Sequence, residues 1–564
     1  MRPSFNCKMQ IRRTVILDGY VDEPACLGVP PYMAPYPRYV AGALPGEVLY
    51  YTIDQLRKDA TIVETMNKSD LVVVIAGVTV PGKYLGGTPA TLPELERYMA
   101  RVKVPKILGG PISMFGPGTE GGRMAHKIKS SPIFDVIATG DVEAVVHAYV
   151  AEGRAVDPSL RRSPDDIGDW AIKGARILPM HPDFPHTMME METYRGCFRG
   201  TCSFCTERFY GRPDFRRIED IVREVAMLYS LGARNFRLGR QPDLLTYMSK
   251  GDGEFPEPNV EAIEKLYRGI RDAAPDLKVL HLDNVNPGTI FRHPEASRDA
   301  LKAVVKYHTS GDVAAFGMES ADPEVIKLNN LKAMPEEVLE AIRILNEVGG
   351  ARGASGLPEL LPGLNFVHGL LGETKNTFRL NYDFLKRLLD EGLLVRRINI
   401  RQVMPFEGTS MGDVGDRIAK KHKGVFHAYK EKIRKDIDAE MLKRVAPAGA
   451  VLTDVRMELH ESGLTFGRQI ATYPILAGVL SELPLGAFYD LKVVGHGFRS
   501  VTAVPYPLDV NSASQKILES LPEVGKKRAM AIVKHRPYHN AEEFKASMDD
   551  PVLADKLSEY FEYR

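Results

Sequence analysis

The chain has 564 residues, 44% of them hydrophobic, with 74 Lys and Arg against 73 Asp and Glu for a formal net charge of +1. That length exceeds one domain, so two to four are expected, and the near-neutral balance excludes a chain held to nucleic acid by overall charge; any such contact is local. No apolar run approaches the roughly 20 residues of a membrane span, and five cysteines argue against a disulfide framework and for a reducing compartment.

The N-terminus, MRPSFNCKMQIRRTVIL, has no adequate apolar signal core, so a cytoplasmic protein is expected. Hydrophobic runs at residues 14–17, 71–76 and 106–108 are spaced as parallel strands, and a fourth at 136–138 precedes Thr139-Gly140-Asp141. Helical patterns such as 92–102 lie between them, which predicts a Rossmann-like βαβ layer. Gly109-Gly110-Pro111 and Gly86-Gly87 follow strands, where such sheets bind ligands, although glycines there also simply let the chain turn. No GxGxxG follows the first strand, which argues against a nicotinamide site. The acidic, proline-containing stretch 156–170 reads as a linker or lid, and the first domain with its linker takes residues 1–185.

The stretch YRGCFRGTCSFCTERF then places Cys197, Cys202 and Cys205 within nine residues. Three thiols in so short a loop make no useful disulfide set, but they can ligate metal. Four thiolates would suggest structural zinc or an electron-transfer cluster; three leave one iron of a [4Fe–4S] cluster open to a ligand. Gly196 and Gly200 let the backbone wrap closely. A zinc site completed by a distant His, or three unconnected cysteines, remain alternatives.

After the loop, a helix at 218–231 ends at Gly232. Strands follow at 235–238, 278–282, 314–318, 364–368 and 397–403, with helices at 335–348 and 376–391 among them. That makes about six βα units, with polar residues gathered just after the strands, where a barrel carries its catalytic groups. Residues 186–412 form this partial (β/α)6 barrel.

The cysteine loop resembles that of the radical S-adenosylmethionine (SAM) superfamily, whose usual gaps are three residues and then two; here the first gap is four, Phe198-Arg199-Gly200-Thr201. By that resemblance Cys197, Cys202 and Cys205 hold a [4Fe–4S] cluster whose open iron chelates the amino and carboxylate groups of SAM, with Phe204 near the adenine. GMES with ADPEVIKLNN, HGLLGET and MPFEGT are similar to the superfamily's fourth-, fifth- and sixth-strand segments. The resemblance implies Glu319, Ser320, Gly369 and Glu373 as SAM-site residues, with Gln241 and Asp243 as further candidates. VDEPACLGVPPYMAPYPRYVAGAL, the run ending ILGGP and ATGDVEAVV resemble the first domain of cobalamin-binding members. The Asp-x-His-x-x-Gly ligating motif is absent, so cobalamin is possible without a motif to support it. Cys7 and Cys26 cannot supply three ligands for a second open-iron cluster, which counts against a methylthiotransferase.

Residues 413–508 form a basic connector, including Lys420-Lys421-His422-Lys423, which reads as a solvated helical face or a phosphate-contacting surface; 451–508 hold short mixed segments. Residues 509–564 resemble a helix-hairpin-helix module. In that family the hairpin's backbone NH groups bind phosphate, which implies Val524 and Gly525, with Lys526, Lys527 and Arg528 beside them; Ala529 packs the second helix. Glu523 replaces the usual first glycine, and a structural or protein-docking hairpin is the alternative.

The fold expected is therefore α/β: a Rossmann-like layer, a partial barrel and a C-terminal helical module. The expected activity is reductive cleavage of SAM to a 5′-deoxyadenosyl radical that modifies a nucleic acid, RNA before DNA, with ferredoxin or flavodoxin as electron donor and no membrane partner. The alternatives are a cobalamin-linked methyltransferase for a protein or small molecule, and a non-catalytic RNA-binding or scaffold protein with a structural metal.

Overall fold

The computed structural model describes residues 11–21, 32–78, 87–118, 120–251 and 253–564. Cys7, Cys26 and Gly86 lie outside the described residues. No helix among the described residues is long and apolar enough to cross a membrane.

The first layer is a five-stranded parallel sheet in the order Glu47–Thr52, Arg13–Asp18, Leu71–Ile75, Lys106–Gly109, Val136–Ile137. Leu71–Ile75 is buried throughout, as the Val/Ile run of a central parallel strand should be. One face packs Val15, Leu17, Val72 and Val74 against the layer's own helices. The other face, with Ile16, Val73 and Ile107, continues into a core shared with the barrel. A Cβ at Gly109 would come within 2.1 Å of Val142, and Gly110 turns at φ +90°. Packing and turning alone therefore account for both glycines.

The stretch 156–170 is not a lid. Ser163 caps the helix Pro164–Gly174 through a reciprocal capping box with Asp166. Ile167, Trp170 and Ala171 bury against Tyr39 and Ala43 of the helix Pro35–Ala43. Gly42 and Gly174 sit where the two helices cross: a Cβ on either would lie under 2 Å from the partner's backbone. The acidic residues that suggested a linker are the helix's outer face.

The barrel consists of two four-stranded parallel sheets. One runs Val279–Leu282, Asn235–Gly239, Met188–Glu192, Tyr32–Met33; the other Asn284–Val285, Asp312–Glu319, Leu360–His368, Arg397–Gln402. Asp283 interrupts the third barrel strand, so its two halves belong to different sheets. Six barrel strands result, as expected. The added edge strand Tyr32–Met33 comes from the first domain and pairs with Met188 and Met189, so the 185/186 boundary divides a single sheet.

The basic stretch is helical from Lys423–Ile433 through a π-turn at Arg434–Asp438 to Ala439–Val445. Phe426, Tyr429, Ile437 and Met441 face the core. Residues 451–505 are not loose segments but a closed five-stranded barrel, Val451–Glu461, Leu464–Gln469, Leu476–Val479, Ser500–Pro505, Phe488–His496. Register shifts at Leu452/Val455 and Met457/Leu459 break the inward alternation, which is why it does not show in the sequence.

The last module holds four short helices, Gln515–Ser520, Gly525–Lys534, Ala541–Ala546 and Pro551–Ser558, closed by pairing of Leu508–Asp509 with Phe561–Glu562. Leu518, Ala529, Ile532 and Phe544 form its core, which also takes in Val504 of the small barrel.

Candidate active site

The cysteine loop is a hairpin with a short neck, Tyr194–Arg195 paired with Asp214–Phe215. The amide of Cys197 donates to Gly211 O at 3.1 Å, and that of Cys205 to Cys202 O at 3.3 Å. Gly196 takes φ +83°, and a Cβ there would meet Arg212 O at 2.5 Å, so only glycine fits. Cys202 is buried and the other two thiols are half-buried. Cys202 Sγ donates to Asn330 O at 3.4 Å, and Arg199 Nη1 lies 3.8 Å from the same sulfur. Burial pushes the Cys202 and Cys205 thiols up, while the nearby Lys332 charge pulls both down. Metal binding must therefore displace protons from these sulfurs. Among the described residues no three His, Cys, Asp or Glu side chains converge as ligands of one metal ion. The thiolates of a cubane each bind a different iron, so they line a cradle rather than meet at a point.

The end of the segment ADPEVIKLNN holds the loop in place. Asn329 accepts from Ser203 Oγ at 2.7 Å and donates to Leu371 O at 2.9 Å, tying the cysteine loop to the turn after the fifth barrel strand. Lys332 follows closely. Its ammonium is desolvated, yet Glu319 and the three thiols outweigh that and raise its pKa. A Cβ on Gly317 would lie 2.6 Å from Lys332 Nζ and 2.7 Å from Glu319 Oε1, so glycine keeps room for both polar ends. The only sequence signal for Lys332 was its position just beyond ADPEVIKLNN.

Glu319 follows a bulge at Gly317/Glu319 and stands at φ +65°, a conformation that costs a non-glycine residue roughly 1–2 kcal/mol. Such strain persists only where the surrounding structure fixes it. Ser320, buried beside it, accepts from the amide of Asp322. Phe204 packs against the cluster of Val325, Leu370, Val403 and Met411 at the barrel's carboxyl rim. Gly369 takes φ +92°, with Ala419 2.8 Å from where a Cβ would sit.

Three of the expected SAM-site residues are held in the rim's own hydrogen bonds. Glu373 binds His368 Nδ1 at 2.9 Å and the amide of Gly369 at 2.9 Å through one oxygen, and His422 Nδ1 at 3.0 Å through the other. Asp243 accepts from Thr289 Oγ1 at 2.6 Å and from the amides of Asn286 and Leu245; burial lifts its pKa to about 6. Gln241 accepts from Thr193 and donates to Leu238 O.

The first layer closes on this rim directly. Arg195 donates to Asp141 at 2.5 Å, and Arg162, almost fully buried, pairs with Glu143 and Glu192. Phe115 packs tilted against Phe209 and edge-on against Tyr210 and Phe406, and the amides of Gly122 and Ala125 donate to Val403 O and Pro405 O. The described residues at the layer's carboxyl end thus touch the barrel itself.

The nucleic-acid candidates lie in the last module, which packs on the small barrel. Lys526 and Lys527 are exposed there. The side chain of Val524 is core and its amide donates to Leu521 O at 3.2 Å, so it is not free for a phosphate. Arg528 is likewise committed, to Asp549 and Glu523 O.

Residues 191–399 match the family model described as the radical SAM superfamily. The chain carries a radical SAM domain. An uncharacterized protein of Methanocaldococcus jannaschii is 48% identical over 508 residues, covering 88% of this chain and 93% of its own length. One from Archaeoglobus fulgidus is 47% identical over 512 residues, covering 90% and 93%. The ribosomal protein uS12 methylthiotransferase RimO of Thermus thermophilus is 25% identical over 354 residues, 62% of this chain and 72% of its own. Among solved structures, the radical SAM methyltransferase TsrM of Kitasatospora setae aligns at a TM-score of 0.47 and 16% identity, covering 73% of this chain and 77% of its own. As a radical SAM enzyme the protein works with a [4Fe–4S] cluster and SAM. The three-thiol hairpin, with Arg199 and Lys332 supplying positive charge beside the sulfurs, suits such a cluster.

Proposed function

We propose that the chain cleaves SAM reductively and directs the resulting radical to a nucleic acid, tRNA or rRNA before DNA. Cys197, Cys202 and Cys205 are the cluster ligands in this reading. When bound, the cluster and SAM supply a 5′-deoxyadenosyl radical by one-electron cleavage, with an electron from a ferredoxin or flavodoxin. The chain's own residues bind, orient and exclude water. Lys332 balances charge at the thiolates and Glu319. Glu319, Ser320, Phe204 and the Gly369 turn face or flank the loop and position SAM. The first layer, locked by Asp141–Arg195 and the Phe115 aromatic contacts, covers the rim and keeps water from the radical.

The observation that carries the nucleic-acid target is the exposed pair Lys526-Lys527 on the first turn of the helix Gly525–Lys534, where positive side chains and a helix N-terminus coincide. RimO acts, by its name, on a ribosomal protein. That likeness favours a protein target as second reading, although a second three-thiol set cannot be made from Cys7 and Cys26. The test is anaerobic incubation with SAM, reductant and RNA from a deletion strain, followed by nucleoside mass spectrometry. A new modified nucleoside supports the proposal. A mass gain on a ribosomal protein with unchanged RNA supports the second reading.

A further inference from the structure

The five strands of the small barrel pair in the order first, second, third, fifth, fourth, and close back on the first. The third and fifth run parallel, and the other neighbours antiparallel. This is the topology of the oligonucleotide- and oligosaccharide-binding barrel. Its second and third strands and the loop between the fourth and fifth form the binding side.

That loop is the hairpin Gly497-Phe498-Arg499, closed by the amide of Gly497 donating to Ser500 O at 2.8 Å. Phe498 is 53% exposed, more than any other phenylalanine among the described residues. One exposed apolar side chain is ordinary by itself. The surroundings of this one are not. His496 Nε2 meets Ala446 O at 2.7 Å and fastens the hairpin to the end of the basic helical stretch. There the pKa of Lys430 is held down first by its burial and then by the charges of Arg434 and Arg499, and the same two arginines offset the burial of the Asp438 carboxyl. The end of the charge run thus lies beside the barrel's loop. On the second strand Phe466, half-buried, lies over Gly478, where a Cβ would crowd its ring at 3.0 Å.

We propose that the 497–499 hairpin and the helix face beside it bind single-stranded nucleic acid, Phe498 stacking on a base and Arg499, Arg434 and Lys430 contacting phosphates. The proposal rests on the nucleic-acid reading above and names where the strand lies. A duplex hides its base faces, so an exposed stacking ring selects unpaired nucleotides.

Binding of a labelled 12-nucleotide oligouridylate, and of a duplex of equal length, is measured by fluorescence anisotropy with the full-length protein. The single strand is expected to bind more tightly than the duplex. Phe498→Ala is expected to weaken it about tenfold, the loss of one stacked base, with its salt slope unchanged. Arg434→Gln with Arg499→Gln is expected to flatten the log–log salt slope by about 1.4, two phosphate contacts on a single strand. Thermal melts confirm that the variants fold. Preference for the duplex, or equal affinity of Phe498→Ala and wild type, overturns the proposal. If Lys526→Ala with Lys527→Ala then abolishes binding, the nucleic-acid reading stands without this surface. Absence of any binding by wild type at low salt also overturns the surface, while the nucleoside comparison decides the reading independently.

Discussion

Arg195, two residues before the first cysteine of the loop, donates to Asp141 at the carboxyl end of the first layer, 2.5 Å away. The pair joins two domains at the neck of the hairpin that carries the thiols. Burial alone would raise the Asp141 carboxyl, but Arg195 and Arg162 hold it below its ordinary value. Its stabilising contribution is present above the unfolded pKa and is lost as pH falls through the folded one. Asp141→Ala leaves the mostly buried Arg195 with only the longer contact to Asp214, 3.5 Å away, and is expected to cost about 2 kcal/mol. Thermal melting checks this, and iron retention through a desalting column is expected to fall in parallel.

The thiols are expected to differ in what they hold. Cys197→Ala with Cys202→Ala and Cys205→Ala is expected to abolish visible absorption and SAM cleavage after anaerobic reconstitution. Cys7→Ser with Cys26→Ser is expected to leave about four irons per chain, the content of one cubane. A full iron complement in the triple variant would show that the loop is not the cluster site.

Lys332→Met removes the positive charge that faces Glu319 and the three thiols. The reduced cluster, which carries one more negative charge, loses more than the oxidised one. A more negative reduction potential is expected in a spectroscopic redox titration, with Lys332→Arg recovering most of the shift. An unchanged potential in Lys332→Met would confine this residue to packing.

Asp243 tests the bracing role. Its folded pKa of about 6 lies above that of an exposed carboxyl, so the wild type loses stability as pH rises through the window up to about 6. Asp243→Asn removes the titration. The difference in unfolding free energy, variant minus wild type, is expected to rise by about 1.5 kcal/mol between pH 5 and pH 8. Denaturant unfolding at both pH values measures it, and a flat difference would place the burial elsewhere.

Glu523 adopts φ +60°, the conformation that glycine supplies in the hairpin the sequence resembles. Glu523→Gly relieves that strain at some entropic cost in the unfolded chain, for a net gain of about 0.5–1 kcal/mol in the last module. Amide exchange of the helix Gly525–Lys534 is expected to slow correspondingly. It also removes a carboxylate from beside Lys526 and Lys527, so RNA affinity at low salt is expected to rise.

Much of this architecture can be read along the chain. The Val/Ile run 71–76 and the polar turns after 235–238 and 364–368 announce parallel strands and a functional rim, because burial on both faces leaves a continuous apolar signature. The strand Glu47–Thr52 escaped notice although Val48, Tyr50 and Thr52 alternate inward. The helix Pro164–Gly174 was hidden by three aspartates on its outer face, and the small barrel by its bulges. At the site, the thiols and Glu319 were visible as motifs. Asn329 lies within ADPEVIKLNN and Lys332 just beyond it, but their roles arise only when the segment after the fourth strand folds back under the cysteine loop. Glu373, Gln241 and Asp243 lie at the positions the motifs imply, and their polar atoms hold the rim turns.

The two-residue strand Tyr32–Met33 has a consequence for anyone who would dissect this enzyme. It caps the outer side of Met188–Glu192, the strand that leads into the cysteine loop. A fragment starting at residue 186 would carry the superfamily match yet present that strand's NH and carbonyl groups bare along one margin, flanked by methionines. Such a margin recruits other strands and drives aggregation. A piece that begins before residue 32 is therefore expected to stay soluble where one that begins at 186 aggregates.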